Sequence, residues 1–188
     1  MSIEIGEATD ADLPAILAIN NQAVAETTAS WNHAPGDLDS RKTWFAGMVA
    51  RTDPVLVARR EGEVVGYAYW GPFRPADGYL HTVENSVYVR ADTRGQGVGR
   101  MLMLELIERA RAKGLHAIVA GLGADNVGSY ALHEKLGFIE FGRMPQVGAK
   151  FGRWLDLVLM QLTLDDEPTP PNTSPEGLAG SHLSLIHI

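Results

Sequence analysis

The chain has 188 residues, 45% of them hydrophobic and 21% charged, which suits one globular domain with a sizeable core and requires no second one. A formal net charge of −7 argues against a broad nucleic-acid surface while leaving room for a local basic pocket. The absence of cysteine excludes disulfides, thiolate metal sites and thiol catalysis.

The opening MSIEIGEATDADL is acidic and lacks a basic-then-apolar signal pattern, and no apolar run approaches the roughly 18 residues of a membrane span. The expectation is a soluble cytoplasmic protein. IEIGEA alternates as a strand does, and Thr9 or Asp10 can cap a helix whose apolar stripe is Leu13, Ile16, Leu17 and Val24. DSRKTWFAGMVA predicts a second amphipathic helix. VLVARR and EVVGYAYWG read as strands separated by Glu61 and Gly62, a tight-turn dipeptide, so they should pair antiparallel. HTVENSVYV alternates again, with Val83, Val87 and Val89 on one face and Thr82, Glu84, Ser86 and Tyr88 on the other. RMLMLELIERARAKG has helical spacing at Met101, Leu104, Ile107 and Ala110 or Arg111, with Gly114 as its stop. HAIVAGLG predicts a buried strand, NVGSYALHEKLGF a shorter helix ending near Gly137, and WLDLVLMQLTL a final long strand. The order reads as mixed α/β, without internal repeats. Residues 165–188, DDEPTPPNTSPEGLAGSHLSLIHI, are rich in Pro, Ser and Thr without periodicity and are expected to be a disordered tail behind a domain of residues 1–164.

Between the alternating HTVENSVYV and the following helix lies RGQGVGR, residues 94–100. Glycines at 95, 97 and 99 permit backbone conformations closed to other residues and let successive N–H groups converge on an anion. A strand-to-helix position adds the helix dipole, and Arg94 and Arg100 can add charge-assisted contacts. An ordinary flexible turn before a helix is the competing reading. A P-loop is excluded because no lysine is followed by Ser or Thr, and the spacing is not that of a Rossmann unit. The expected ligand is a pyrophosphate.

SVYVRADTRGQGVGRMLMLELIERA followed by NVGSYALHEKLGF resembles the acetyl-CoA-binding core of the GNAT acetyltransferases, whose signature is a strand, an R/Q-G-x-G-x-G/A loop and a helix. WGPFRPADGYLHTVENSVYV and MPQVGAKFGRWLDLVLMQL are similar, more narrowly, to the phosphinothricin and methionine sulfoximine N-acetyltransferase branch. The resemblance spans residues 3–164. It implies the GNAT fold: α/β, with a mixed, mainly antiparallel twisted sheet flanked by helices and acetyl-CoA held between splayed central parallel strands. It also implies acetyl transfer to the α-amine of a small amino-acid analogue such as phosphinothricin, methionine sulfoximine or methionine sulfone, with no acetyl-enzyme. Two alternatives stay open: acetylation of another small amine or a protein N-terminus, and a noncatalytic acyl-CoA-binding module.

An alkylammonium cannot attack a thioester until it loses a proton, which calls for a positioned carboxylate. The resemblance places the family's catalytic glutamate at Glu84; the residues alone leave a solvated strand face equally open. His133 occupies the position where many GNAT enzymes place a tyrosine that protonates the departing thiolate, and where this branch has histidine. It can instead pack beside Leu132 and Leu136 or contact the cofactor. The resemblance gives Asn126 and Ser129 polar contacts with the pantetheine, although Asn126 can equally cap a helix. It gives Val87 and Val89 backbone contacts to the thioester carbonyl, and it gives Arg94, Gly95, Gln96, Gly97, Val98, Gly99 and Arg100 the pyrophosphate. Arg74 can clamp a substrate carboxylate between Phe73 and Tyr79 as pocket walls, or be a loop arginine beside two packing aromatics. Related enzymes form homodimers with pockets near the subunit boundary, which implies that Lys150 is presented to a neighbouring site. The histidines show no metal-ligand spacing, and no metal, nucleic-acid or membrane partner is expected.

Overall fold

Residues 2–166 and 170 are described by the computed structural model. Four strands, β1 (Ile3–Glu7), β2 (Val55–Arg60), β3 (Glu63–Pro72) and β4 (Thr82–Val89), pair antiparallel in chain order. The β2–β3 turn uses Glu61 at φ 52° and Gly62 at φ 83°, two consecutive left-handed residues, so the hairpin expected of that dipeptide forms. β5 (Ala117–Gly123) lies parallel to β4, while β7 (Arg153–Thr163) pairs antiparallel with both β5 and the outermost β6 (Ile139–Lys150). The sheet order is β1-β2-β3-β4-β5-β7-β6, mixed and mainly antiparallel as the sequence resemblance implied.

Helices cover both faces, because strand alternation presents apolar residues to each. On one face, α1 (Leu13–Glu26) and α2 (Leu38–Ala50) bury Leu13, Ile16, Ile19 and Met48 against Val57, Val64 and Tyr67. On the other, α3 (Val98–Ala112) and α4 (Val127–Lys135) cover Val65, Val83, Ile118 and Ala120. Thr9 does not cap α1 directly. Its backbone N–H and hydroxyl bind the Asp12 carboxylate at 2.7 and 2.9 Å, closing a 3-10 turn that precedes the helix.

The buried stripe of α3 is rotated from its predicted face. Val98, Leu102, Met103, Leu106, Ile107 and Ala110 are buried, whereas Met101 and Leu104 are 37% and 38% exposed. The face is set at the start of the helix, where Gly66 of β3 lets Val98 and Leu102 approach within 3.2 Å of where a Cβ would stand. β6 has no counterpart in the predicted elements. Its side chains point mostly to solvent, its register shifts twice, and Pro145 lies within it, so pairing with β7 rather than an alternating apolar pattern defines it. Among the described residues, no helix is long and apolar enough to cross a membrane. The expected tail at 165–188 lies outside the described residues, apart from 165, 166 and 170.

Candidate active site

The site arises where β4 and β5, the only parallel pair among the described residues, come apart. Thr82, Val83 and Glu84 pair with Ala117, Ile118 and Val119, and there the pairing stops. Beyond it, among the described residues, β4 pairs only with β3 and β5 only with β7, so backbone groups on their facing edges have no strand partner there. A cavity of about 210 Å³ opens at this splay. Asn85, Ser86, Val87 and Tyr88 line it from β4, Gly121 and Gly123 from β5, Ser129 and His133 from α4, and residues 28–31 from the loop after α1. Glu84, Ser86 and Tyr88 face the α1/α2 side, while Asn85 and Val87 face the α3/α4 side. A continuous sheet would keep these two sets apart; the splay joins them.

Glu84 stands at the last residue of β4 that pairs with β5, half-buried, with its carboxylate 3.0 Å from where a Cβ on Gly121 would lie. Burial raises its pKa above the ordinary carboxylate value, and the charge of Arg74 offsets part of that rise. Glu84 is therefore not on a freely solvated face.

His133 is buried on the opposite side of the sheet. Its Nδ1 lies 2.8 Å from the Ser129 carbonyl oxygen, which can only accept, so Nδ1 carries the proton. Nε2 is then the acceptor for Asn85 Nδ2 at 3.0 Å. Phe138 meets the ring edge-on at 4.9 Å, and burial holds the imidazole pKa below its usual value. The neutral ring thus has its one proton committed to a helix carbonyl, an arrangement unsuited to protonating a thiolate. Asn85, which the sequence reading passed over, is 7% exposed and leaves its Oδ1 buried without a partner.

In the glycine loop, Gly95 and Gly97 have φ of 74° and 84°, and an added Cβ on either would meet nothing within 4 Å. Conformation, not crowding, requires glycine at both. Gly97 is the left-handed N-cap of α3. Gly99 answers a different demand, since its Cβ would come within 3.3 Å of Leu132 and 3.5 Å of Val89. The first-turn N–H groups of Val98, Gly99 and Arg100 have no acceptor within the helix. Val98 contributes backbone only, its side chain being buried. Arg94 donates to the Val89 carbonyl at 3.3 Å, and Arg100 is exposed on the first turn. Gln96 braces the loop: its amide donates to the Asp92 carbonyl at 3.1 Å and its oxygen accepts from Arg60 at 2.6 Å. Left-handed glycines, open N–H groups and two nearby guanidiniums fit a pyrophosphate.

The remaining expected residues divide. Asn126 does cap α4, accepting from the Ser129 N–H at 3.2 Å, and both also line the cavity. Val87 and Val89 pack their side chains against the core, and Val87 also lines the cavity. Phe73 and Tyr79 meet edge to face at 5.5 Å, with Arg74 lying 4.2 Å over Phe73 and donating to its carbonyl at 2.7 Å. They form a cluster, but the cavity wall is not theirs; residues 28–31, with Trp31, supply it. Lys150 is also corrected. It is 3% exposed, and its ammonium donates to the Thr27 and Ser30 carbonyls of its own chain rather than being presented outward. Trp31 was missed because a tryptophan in a loop of small residues carries no periodic signal; the glycines that seat it, 123 and 148, lie far along the chain. No group of three or more potential metal ligands occurs among the described residues.

A splayed parallel pair beside a helix-capping glycine loop is the architecture of an acetyl-CoA-dependent acyltransferase. The chain belongs to the acetyltransferase (GNAT) family, whose model matches residues 16–138. It is 54% identical over 172 residues to the L-methionine sulfoximine/L-methionine sulfone acetyltransferase of Pseudomonas paraeruginosa, across 91% of this chain and 100% of that protein. It is 43% identical over 157 residues to the phosphinothricin N-acetyltransferase of Alcaligenes faecalis, across 83% of this chain and 80% of that one. The structure of yncA from Salmonella typhimurium with acetyl-CoA matches at TM-score 0.89 and 46% identity, covering 91% of this chain and 99% of that one.

Proposed function

We propose that this enzyme transfers the acetyl group of acetyl-CoA to the α-amine of small amino-acid analogues, with methionine sulfoximine, methionine sulfone and phosphinothricin as the acceptor class. The observation that carries the reading is the half-buried Glu84 carboxylate at the edge of the splay, its pKa raised by burial toward that of a useful base. The thioester of acetyl-CoA supplies an activated acyl carbon. Glu84, directly or through water, accepts a proton from the acceptor ammonium. The amine nitrogen then forms the N–C bond as the C–S bond breaks. Of the two protons the ammonium loses, one leaves through Glu84 and the other ends on the departing thiolate. Free N–H groups of the β4 edge near Val87 and Val89 meet the thioester oxygen, and residues 94–100 hold the pyrophosphate. Asn126 and Ser129 contact the pantetheine. His133 serves as a neutral contact in the cavity rather than as the acid.

The Arg74 cluster supports a carboxylate contact on the Glu84 side, because the charge of Arg74 acts on that carboxyl. The β6–β7 hairpin exposes Phe141, Met144, Val147 and Trp154, an apolar surface that supports a homodimer. A cytoplasmic location accords with the cofactor. A thiol-release assay with the three analogues, ordinary amino acids, aminoglycosides and short peptides tests the assignment. Turnover should be confined to free amino-acid analogues; turnover of peptides alone would assign a protein N-terminal acceptor, and none with bound acetyl-CoA would leave a binding module. Arg74→Ala should raise the acceptor KM and leave acetyl-CoA affinity unchanged, while a carboxyl-amidated acceptor loses less. Equal losses for both acceptors would remove the carboxylate contact.

A further inference from the structure

We infer that Lys150 is a positioning residue for acceptor selection: with Arg153 it makes the tip of the β6–β7 hairpin a clasp on residues 27–31, the loop that walls the cavity. The inference rests on reading that cavity as the acetyl-transfer site.

β6 and β7 turn on Phe151 at φ 52° and Gly152 at φ 72°, which sets Lys150 opposite Arg153. The two cations then take separate routes to one loop. Lys150 Nζ lies 2.7 Å from the Thr27 carbonyl oxygen and donates to that of Ser30 as well. Arg153 pairs with Asp125 Oδ2, and Asp125 Oδ1 accepts from the Thr28 hydroxyl at 3.0 Å. Two residues before Lys150, the same strand offers a third contact: a Cβ on Gly148 would stand 2.3 Å from the Trp31 ring, so the indole lies against bare backbone. From the other side, Trp31 Nε1 is 3.6 Å from where a Cβ on Gly123 would lie. The wall residue is seated between two glycines, and its loop is held at both ends.

Two carbonyl oxygens that converge on one point repel each other unless a donor sits between them. An ammonium has three donors and no acceptor, so it meets that need, and a neutral side chain of similar length does not. Without the ammonium, the Thr27 and Ser30 carbonyls turn toward water and the loop carries Trp31 off Gly148. A cavity with a displaced wall holds a small acceptor less well and excludes a bulkier amine less well, while the glycine loop and α3 are untouched.

Lys150→Met should raise the KM for methionine sulfone by about tenfold, with kcat and acetyl-CoA affinity changed by less than about twofold. The preference for methionine sulfone over a short peptide amine should fall in parallel. Hydrogen exchange should quicken at residues 27–31 and stay unchanged in β5. Thr28→Val, which cuts the Asp125 route and leaves the buried cation in place, should move the same quantities in the same direction by less. A folded Lys150→Met protein with native KM, selectivity and exchange overturns the proposal, as does equal weakening of acetyl-CoA and acceptor. If Lys150→Met does not fold, Thr28→Val decides by the same measurements. A native enzyme that acetylates no amine would defeat the transfer reading instead, and exchange at residues 27–31 would still decide whether the clasp holds the loop.

Discussion

Glu84 and His133 face opposite sides of β4, and their environments push them toward different roles. Because the Glu84 pKa is raised, its basic form is lost as pH falls through a value above the ordinary 4.5, and the acid limb of kcat/KM should report that loss. Glu84→Gln should slow acetyl transfer by about 10²- to 10⁴-fold at neutral pH with acetyl-CoA binding retained, and the deficit should shrink as the amine deprotonates at high pH. Single-turnover rates from pH 6 to 10 measure this, and near-native rates throughout would remove Glu84 as the base. His133 carries a stability signature. Its folded pKa lies below 6.5, so the unfolded chain takes up the proton first as pH falls. The stability it contributes is complete above the unfolded value of about 6.5 and is lost as pH falls through the folded one. Urea midpoints of the native protein and of His133→Gln should therefore converge, or cross, between pH 8 and pH 5. A constant gap would mean that the folded ring protonates as readily as the unfolded one. Both residues stand out in the sequence through their motif positions, but the tautomer of His133 does not, since it depends on the Ser129 carbonyl and Asn85.

Among the elements, the glycine loop shows how one motif can serve two physical demands. Gly97 is required for its φ of 84° and opens onto empty space, whereas Gly99 is required because Leu132 and Val89 crowd it. A non-glycine residue in the left-handed region costs about 1–2 kcal/mol, and a β-branched side chain at 97 would also obstruct an approaching phosphate. Gly97→Val should therefore weaken acetyl-CoA binding far more than it lowers the melting temperature. Gly99→Val should do the reverse in larger part, because α3 must shift against α4 and β4. Calorimetric titration beside thermal unfolding separates the two, and unchanged affinity in folded Gly97→Val would sink the phosphate-cradle assignment. The loop was visible in RGQGVGR because backbone conformation is a local property. β6 was not visible, because an edge strand with solvent-facing side chains announces itself only through its partner.

For the molecule as a whole, the exposed Trp154, 66% accessible, and Phe141, 55%, lie on the hairpin that ends the sheet. An apolar surface on an edge hairpin favours a second copy. Sedimentation should show a dimer that Trp154→Glu with Phe141→Glu shifts toward monomer; a monomer at every concentration would remove that assignment. The sequence by itself determined the order of helices and of every strand but β6, the hairpin at Glu61 and Gly62, and the glycine-rich turn ahead of α3, since periodicity, turn residues and short motifs act over a few positions. Only the tertiary structure decided where β4 and β5 part, which face of α3 is buried, that residues 28–31 rather than Phe73 and Tyr79 wall the cavity, and that Lys150 turns inward. Those outcomes depend on partners remote in the chain: Lys150 reaches a carbonyl 123 residues away, and no local pattern in either segment encodes that meeting.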